Sequence, residues 1–295
     1  MLSVAVIIAT KGRPEVVRAL AEALRKQTSA PELLIVSACD PADVTDVAKV
    51  NPAVNVVYSP PGLPRQRNAA LALVPSNIDI VVFFDDDFIP SRFWIERVRT
   101  IFENAPEIAS LTGEVLADGS KTEGVAWTHG VNIVADADAA RGPLTGKMAS
   151  WQEDYSPLGC DMAFRHSAMA DLRFDERLVL YAWQEDRDFG ARVAKRGRLV
   201  WTNALWGVHL GTKGGRVRGR KLGYSQIVNP RYLVAKGTMR ATDAIRLAGG
   251  NIIANAVKSL RPEPYIDRAG RFAGNLLGLI DLITGKWKPE RAAEL

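Results

Sequence analysis

The 295-residue chain has only two cysteines, Cys39 and Cys160, far apart and at no metal-ligand spacing. A disulfide framework is therefore not expected, and a reduced, cytoplasmic setting fits best. Long hydrophobic runs are also missing: no stretch reaches the ~18 uninterrupted apolar residues that a spanning helix needs. The opening MLSVAVIIAT is apolar but short, has no basic region before it and runs into Lys11-Gly12-Arg13-Pro14. It reads as a first strand and not as a signal peptide. Neither G-x-G-x-x-G nor G-x-x-x-x-G-K-[ST] occurs, so the usual dinucleotide and P-loop phosphate cradles are absent. The formal net charge is only +5, and no nucleic-acid partner is expected.

What the chain does have is apolar content, 47% of its residues, enough for a large core. Its charges are unevenly spread. Val81–Pro90 reads VVFFDDDFIP: a fully apolar, strand-like run delivers Asp85, Asp86 and Asp87 together. Buried parallel strands look like this, and open α/β sheets hold their ligands at the C-terminal ends of such strands. Three adjacent carboxylates repel one another unless water or a cation lies among them. Oxygen ligands of this kind suit Mg²⁺ or Mn²⁺. A second acidic cluster is Gln184-Glu185-Asp186-Arg187-Asp188. Lys213, Arg216, Arg218, Arg220 and Lys221 crowd into one Gly-rich stretch, a patch that attracts phosphate on a substrate or on anionic lipid.

Strand and helix patterns alternate through the first half. Strands are expected at 3–9, 33–37, 55–58 and 79–84, and helices at 14–26, 64–73 and 92–103, the first with Pro14 in its first turn. This is the pattern of a doubly wound, mostly parallel α/β sheet that binds a nucleotide. Further strands are expected at 109–115, 125–134, 158–164 and 200–203, the last ending near His209. A helix is expected at 184–196, with acidic residues favourably placed in its first turn. Residues 211–223 read as a mobile basic loop, and 225–295 as helical and basic, with a leucine-rich last helix.

Five segments, in order, resemble those of inverting family-2 glycosyltransferases with a GT-A fold: SVAVIIATKGRP, GLPRQRNAAL, FFDDDFIP, LGCDMAFRHSAM, and FDERL followed by WQEDRDFGARVAKRG. The resemblance covers residues 3 to about 210. It implies a catalytic domain over 1–210, with a nucleotide-binding half at 1–107 and an acceptor-binding half at 108–210. A mobile loop at 211–224 and a C-terminal helical extension at 225–295 follow. The implied activity is metal-dependent transfer of a sugar from a nucleotide-diphosphate donor to a hydroxyl of a saccharide or lipid-linked glycan. A sugar-nucleotide nucleotidyltransferase and a catalytically silent nucleotide-binding protein are the rivals.

The resemblance also implies roles. Asp87 is the main ligand of Mn²⁺ or Mg²⁺, Asp85 contacts the ribose or a metal-bound water, and His209 completes the metal site. Asp86 lies between the outer pair that such families use, and counts with the donor-binding residues. Thr10 and Arg13 face the nucleotide, Arg67 contacts its base or phosphate, and Asn68, counted with the donor-binding residues, fixes that helix turn; turn formation and surface solvation are the alternatives. The family's V-D-D-G-S is here VSACDPAD, so Asp40 is the best substitute for its base-binding aspartate. The catalytic base is Asp186, with Glu185 second; Asp188 is read as plain helix charge. Trp151 and Trp183 are candidates for stacking on an acceptor sugar, with a core role as the alternative. Asp161 replaces the usual asparagine of G-x-N and is expected to meet an acceptor hydroxyl or a protein donor. The loop 211–223 is expected to close over the diphosphate. The tail after Arg261 either packs on the catalytic domain, forms a homodimer, or lies on a membrane face.

Overall fold

The computed structural model describes residues 1–143, 150–153, 156–214 and 217–295. In chain order the elements are β1 (Val4–Ala9), α1 (Pro14–Leu24), β2 (Leu33–Ala38), α2 (Val47–Val50), β3 (Val54–Tyr58), α3 (Leu63–Leu71), β4 (Ile80–Asp85), β5 (Phe88–Pro90) and α4 (Trp94–Asn104). Then come β6 (Ile108–Asp118), α5 (Trp127–Arg141), β7 (Trp151–Glu153), β8 (Asp161–Arg165), α6 (His166–Met169), α7 (Glu185–Val193) and β9 (Arg198–His209). Helices α8 (Gly219–Lys236), α9 (Ala241–Lys258), α10 (Arg268–Thr284) and α11 (Arg291–Glu294) complete the chain. Two compact units result: Met1–Pro60 with Gln66–Arg173 and Arg192–Gly215, and Pro61–Arg65 with Phe174–Ala191 and Arg216–Leu295.

The first unit is built on one sheet in the order β3-β2-β1-β4-β8-β6-β9-β5, with β7 paired to β9. Strands β1 to β4 run parallel, β6 and β9 share their direction, and β5, β7 and β8 oppose it. The apolar runs of β1 and β4 are buried because helices cover both faces of such strands. Helix α1 lays Val17, Leu20, Ala21 and Leu24 on the sheet at helical spacing, and α4 contributes Trp94, Ile95, Val98, Ile101 and Phe102. Trp94 meets Phe84 edge to face at 4.8 Å.

The sheet bends, and the bend creates the site. Only Asp86 and Asp87 separate β4 from β5, yet three strands lie between them in the sheet order. Three peptide units reach at most about 11 Å, whereas four strand steps in a flat sheet measure about 19 Å. Register shifts along the β6–β9 pair, between Thr112 and Glu114 and between Val115 and Ala117, let the sheet turn back on itself. The end of β9 thereby comes over the end of β4.

Three expectations are corrected. Residues 125–134 are not a strand; α5 occupies 127 onward. The β-branched Val131, Ile133 and Val134 suggested extended chain, but the buried positions are Gly130, Val134 and Asp138, which repeat every four residues. Asp138 locks the helix down, accepting from Ser91 Oγ (2.6 Å) and Trp206 Nε1 (2.9 Å). Second, residues 219–223 belong to α8 and not to a loop. A Cβ at Gly223 would strike the Arg271 backbone, so this glycine serves the close crossing of α8 and α10. Third, β9 is a twelve-residue strand, far longer than 200–203. Among the described residues no helix is long and apolar enough to cross a membrane.

Candidate active site

The acidic triplet forms the turn from β4 into β5. Register then surrounds it. His209, the last residue of β9, pairs with Phe88 on one side and with Asp118, the last residue of β6, on the other. His209 Nδ1 lies 2.9 Å from Asp118 Oδ1, and Nε2 lies 3.4 Å from Asp87 Oδ1 and 4.0 Å from Asp85 Oδ2. One ligand atom from each of Asp85, Asp87 and His209 falls within a 4.8 Å group. Two carboxylates and an imidazole at that spacing fit one divalent cation with room for further oxygen ligands.

The three aspartates have different surroundings. Asp86 is turned into the protein, where Thr10 Oγ1 and Arg13 NH1 each donate to it at 2.8 Å. Burial pushes its carboxyl up to about 7, against the Arg13 charge. Asp87 is also buried, but hydrogen bonding and charge from His209, the Arg13 charge and the Thr212 N–H (2.6 Å) overcome that burial and hold it at about 2. Burial raises Asp85 despite the Arg67 guanidinium 3.1 Å away. Burial would lower His209, but hydrogen bonds to Asp118 and Asp87 and the charges of Asp87 and Asp85 lift it to about 10. Without a cation, His209 is therefore the positive charge among the outer carboxylates.

The remaining expected donor residues fall in distinct places. Arg13 also donates to Gly214 O (2.8 Å) and Thr212 O (3.1 Å), joining the β1 loop to the segment after β9. Arg67 is 1% exposed, donates to Gly159 O at 2.8 Å and braces Asp85 from beneath. Asn68 sits half-buried beside it on α3. Asp40 is exposed and caps the turn Pro41–Val44 through Ala42 N. Its neighbour Asp43 is the buried one, accepting from Gly12, Cys39 and Asp40 N–H groups at 2.6, 3.1 and 3.1 Å. Asp161 is wholly buried and takes a protein donor, Gly113 N at 2.9 Å. Trp151 pairs with Thr202, about 20 Å of strand before His209, and carries the Arg198 guanidinium on its ring; it is not at this cluster. Lys213 Nζ turns onto Gly119 O at 2.9 Å. Arg216 lies outside the described residues.

Sequence reasoning missed Asp118, Asp43, Thr212 and Gln66. Gln66 Nε2 donates to Thr10 O (2.7 Å) and Ser37 O (3.0 Å), tying α3 to the ends of β1 and β2. The signal for Asp118 was its position at the end of a strand, which gains meaning only once β6 is known to pair with β9.

In the second unit, Glu185 and Asp186 open α7. Glu185 is buried and Asp186 half-buried, and Trp183 is half-buried with its carbonyl accepting from Asn229. The approach to α7 is strained: Leu180, Ala182 and Gln184 all have positive φ, at 62°, 52° and 76°. Each costs a non-glycine residue about 1 kcal/mol, and such clusters mark functional turns. Asp188 is more than helix charge. It is wholly buried and takes hydrogen bonds from Lys236 Nζ and Thr238 Oγ1, each at 2.8 Å. Asp188→Asn is expected to destabilise the protein by about 2 kcal/mol or more, through the loss of a buried charge partner. Urea unfolding measures this, and an unchanged midpoint would return Asp188 to the role of surface charge.

The model of glycosyl transferase family 2 matches residues 5–166. The chain belongs to that family. Its match contains the β1 loop, the acidic triplet and Asp161, and stops before Glu185, Asp186 and His209. No curated protein matches the chain by sequence. Among solved structures, S. aureus TarS superposes on this family-2 glycosyltransferase with a TM-score of 0.51 at 13% identity, covering 99% of this chain and 55% of TarS. The chain thus spans little more than half the length of that protein. TarS 1-349 gives 0.51 at 14% identity, with 96% of this chain and 92% of that one covered. The same fragment in complex with UDP-GlcNAc gives 0.56 at 13% identity, covering 95% and 81%. At these identities the likeness is one of fold, and the fold is GT-A.

Proposed function

We propose that this family-2 chain transfers a sugar from a nucleotide-diphosphate donor to a hydroxyl of a saccharide or lipid-linked glycan, with inversion, and uses Mn²⁺ or Mg²⁺ to do so. The Asp85–Asp87–His209 cluster at the end of β4 carries the reading. A divalent cation held by these three residues would neutralise the diphosphate as the sugar–phosphate bond breaks. Around it, Asp118 fixes the imidazole by taking the Nδ1 hydrogen, which leaves Nε2 toward Asp85 and Asp87. Arg67 orients Asp85, while Thr10 and Arg13 hold Asp86 out of the ligand set. Arg13 also offers positive charge at the donor end, and the expected nucleotide contacts of Thr10, Asn68 and Asp40 belong to the same proposal.

Asp186 is the proposed base. The acceptor oxygen attacks the anomeric carbon, its proton passes to the Asp186 carboxylate, and the nucleoside diphosphate leaves. The strained turn and the half-buried carboxylate support this assignment over the more deeply buried Glu185. Trp183, two residues before the pair, is the proposed acceptor-stacking side chain.

Incubation with a panel of nucleotide sugars, metal and oligosaccharide acceptors tests the reaction class. The expected products are nucleoside diphosphate and a glycoside of inverted anomeric configuration, read by proton NMR. Release of pyrophosphate, or a retained anomer, would sink the proposal.

A further inference from the structure

Helices α9 and α10 bury part of their polar side chains against the neighbouring helices. Asn255 Nδ2 donates to Gln226 Oε1 (3.0 Å) and Asn275 Oδ1 (2.9 Å), Asn275 Nδ2 donates to Gly223 O (2.7 Å), and Tyr224 OH donates to Asp281 Oδ2 (2.8 Å). Asn255, Asn275 and Asp281 are all buried. Some aliphatic side chains face outward instead, although Leu247 and Leu277 pack inward. Ile253, Val257 and Leu260 repeat at i, i+4 and i+7 along α9 and the turn after it, and Leu276, Ile280 and Ile283 repeat the same way on α10. Leu260 is 83% exposed and Ile283 is 85% exposed. The exposed positions of α10 are Ala269, Ala273, Leu276, Ile280, Ile283 and Thr284, without a single charge. A helix facing only water shows the reverse arrangement, and exposed apolar stripes of this kind mark a contact surface.

Charge chooses the partner. From Arg240 to the C-terminal Leu295, nine lysines and arginines face six aspartates and glutamates. Half of these acids pair with bases of the same segment: Asp243 with Arg240 and Arg246, Glu263 with Lys258 and Arg268, and Asp281 with Arg291; the segment keeps a net charge of +3 (nine bases less six acids). Arg261 and Lys286 stand exposed just beyond the aliphatic positions in sequence, and Arg246 and Lys258 are exposed with one acidic partner each. A second copy related by a two-fold axis would set this basic rim against itself. It would also find no exposed aromatic anchor of the kind that dominates protein interfaces.

We propose that the α9–α10 face lies on an anionic phospholipid surface, with its aliphatic side chains at the headgroup–acyl boundary and its basic residues against lipid phosphates. The inference is independent of the transferase reaction and goes beyond it. Flotation of the full chain with phosphatidylglycerol-rich vesicles, and with phosphatidylcholine vesicles, tests it at low and high salt. Binding is expected to the anionic vesicles, to weaken with salt, and to fall about tenfold or more in Ile280→Ser/Ile283→Ser and in Ile253→Ser/Val257→Ser. These positions are exposed, so thermal unfolding of the variants should match the parent, and nucleoside-diphosphate binding should persist. Failure of the parent to float, or equal flotation of the variants, would overturn the proposal. A dimer in sedimentation that the serine variants dissolve, without vesicle binding, would assign the face to a second copy instead.

Discussion

Asp87→Ala is expected to erase the metal-dependent part of nucleoside-diphosphate binding. In the parent protein, a nucleoside diphosphate with Mn²⁺ at a hundred times its dissociation constant should add about 2.7 kcal/mol of stability, by mass action. That is a rise of several degrees in Tm for a chain of this size. Chelator should remove most of it. Asp87 is the carboxylate best prepared for a cation. It is held ionised at about 2 by His209, Arg13 and the Thr212 N–H, whereas Asp86 is pushed up to about 7 and turned toward Thr10. The alanine variant gives up the attraction of Asp87 to His209, Arg13 and the Thr212 N–H, so it should be less stable without ligand, and it should melt alike with Mn²⁺ or chelator. Stabilisation of the parent that survives EDTA undiminished would remove the cation from the mechanism.

Asp186→Asn is expected to lower kcat by a factor of roughly a hundred or more, since a positioned general base contributes that much or more. The amide keeps the shape of the side chain and its place in the first turn of α7, but cannot take the acceptor proton. Donor affinity should be nearly unchanged, so the loss should fall on kcat and not on KM for the nucleotide sugar. Glu185→Gln is the necessary companion. Glu185 is buried where Asp186 is half-buried, so its substitution should cost stability more than turnover. An active Asp186→Asn beside an inactive Glu185→Gln would move the base one residue back; two active variants would leave α7 without a catalytic role.

The parts of this molecule legible in its sequence are those where one local rule suffices. Strands β1, β2 and β4 announce themselves because a strand covered on both faces must be apolar throughout. The Asp85–Asp87 triplet is conspicuous because carboxylates at the end of such a strand need a reason. Helix α5 was hidden because Val131, Ile133 and Val134 favour extended chain locally, while Asp138, bonded to Ser91 and Trp206, decides the matter from a distance. Residues 219–223 looked mobile for a similar reason. Glycine signals freedom or close approach equally well in sequence, and only the crossing with α10 distinguishes them. Asp118 and Thr212 reach the cluster through strand register and through the chain after β9. No local pattern encodes either.

The bend in the sheet also sets the order in which this protein can become competent. Asp87 and His209 are 122 positions apart, and they meet only through the pairing of β9 with β5 and β6. Contacts so remote in sequence are late events, because the closing of long loops must be offset before it is rewarded. A nascent chain that has already paired β1, β2, β3 and β4 displays its acidic turn but has no imidazole over it. The Asp87–His209 pair thus forms with the last strand of the sheet, well after strands β1 to β4 have been synthesised.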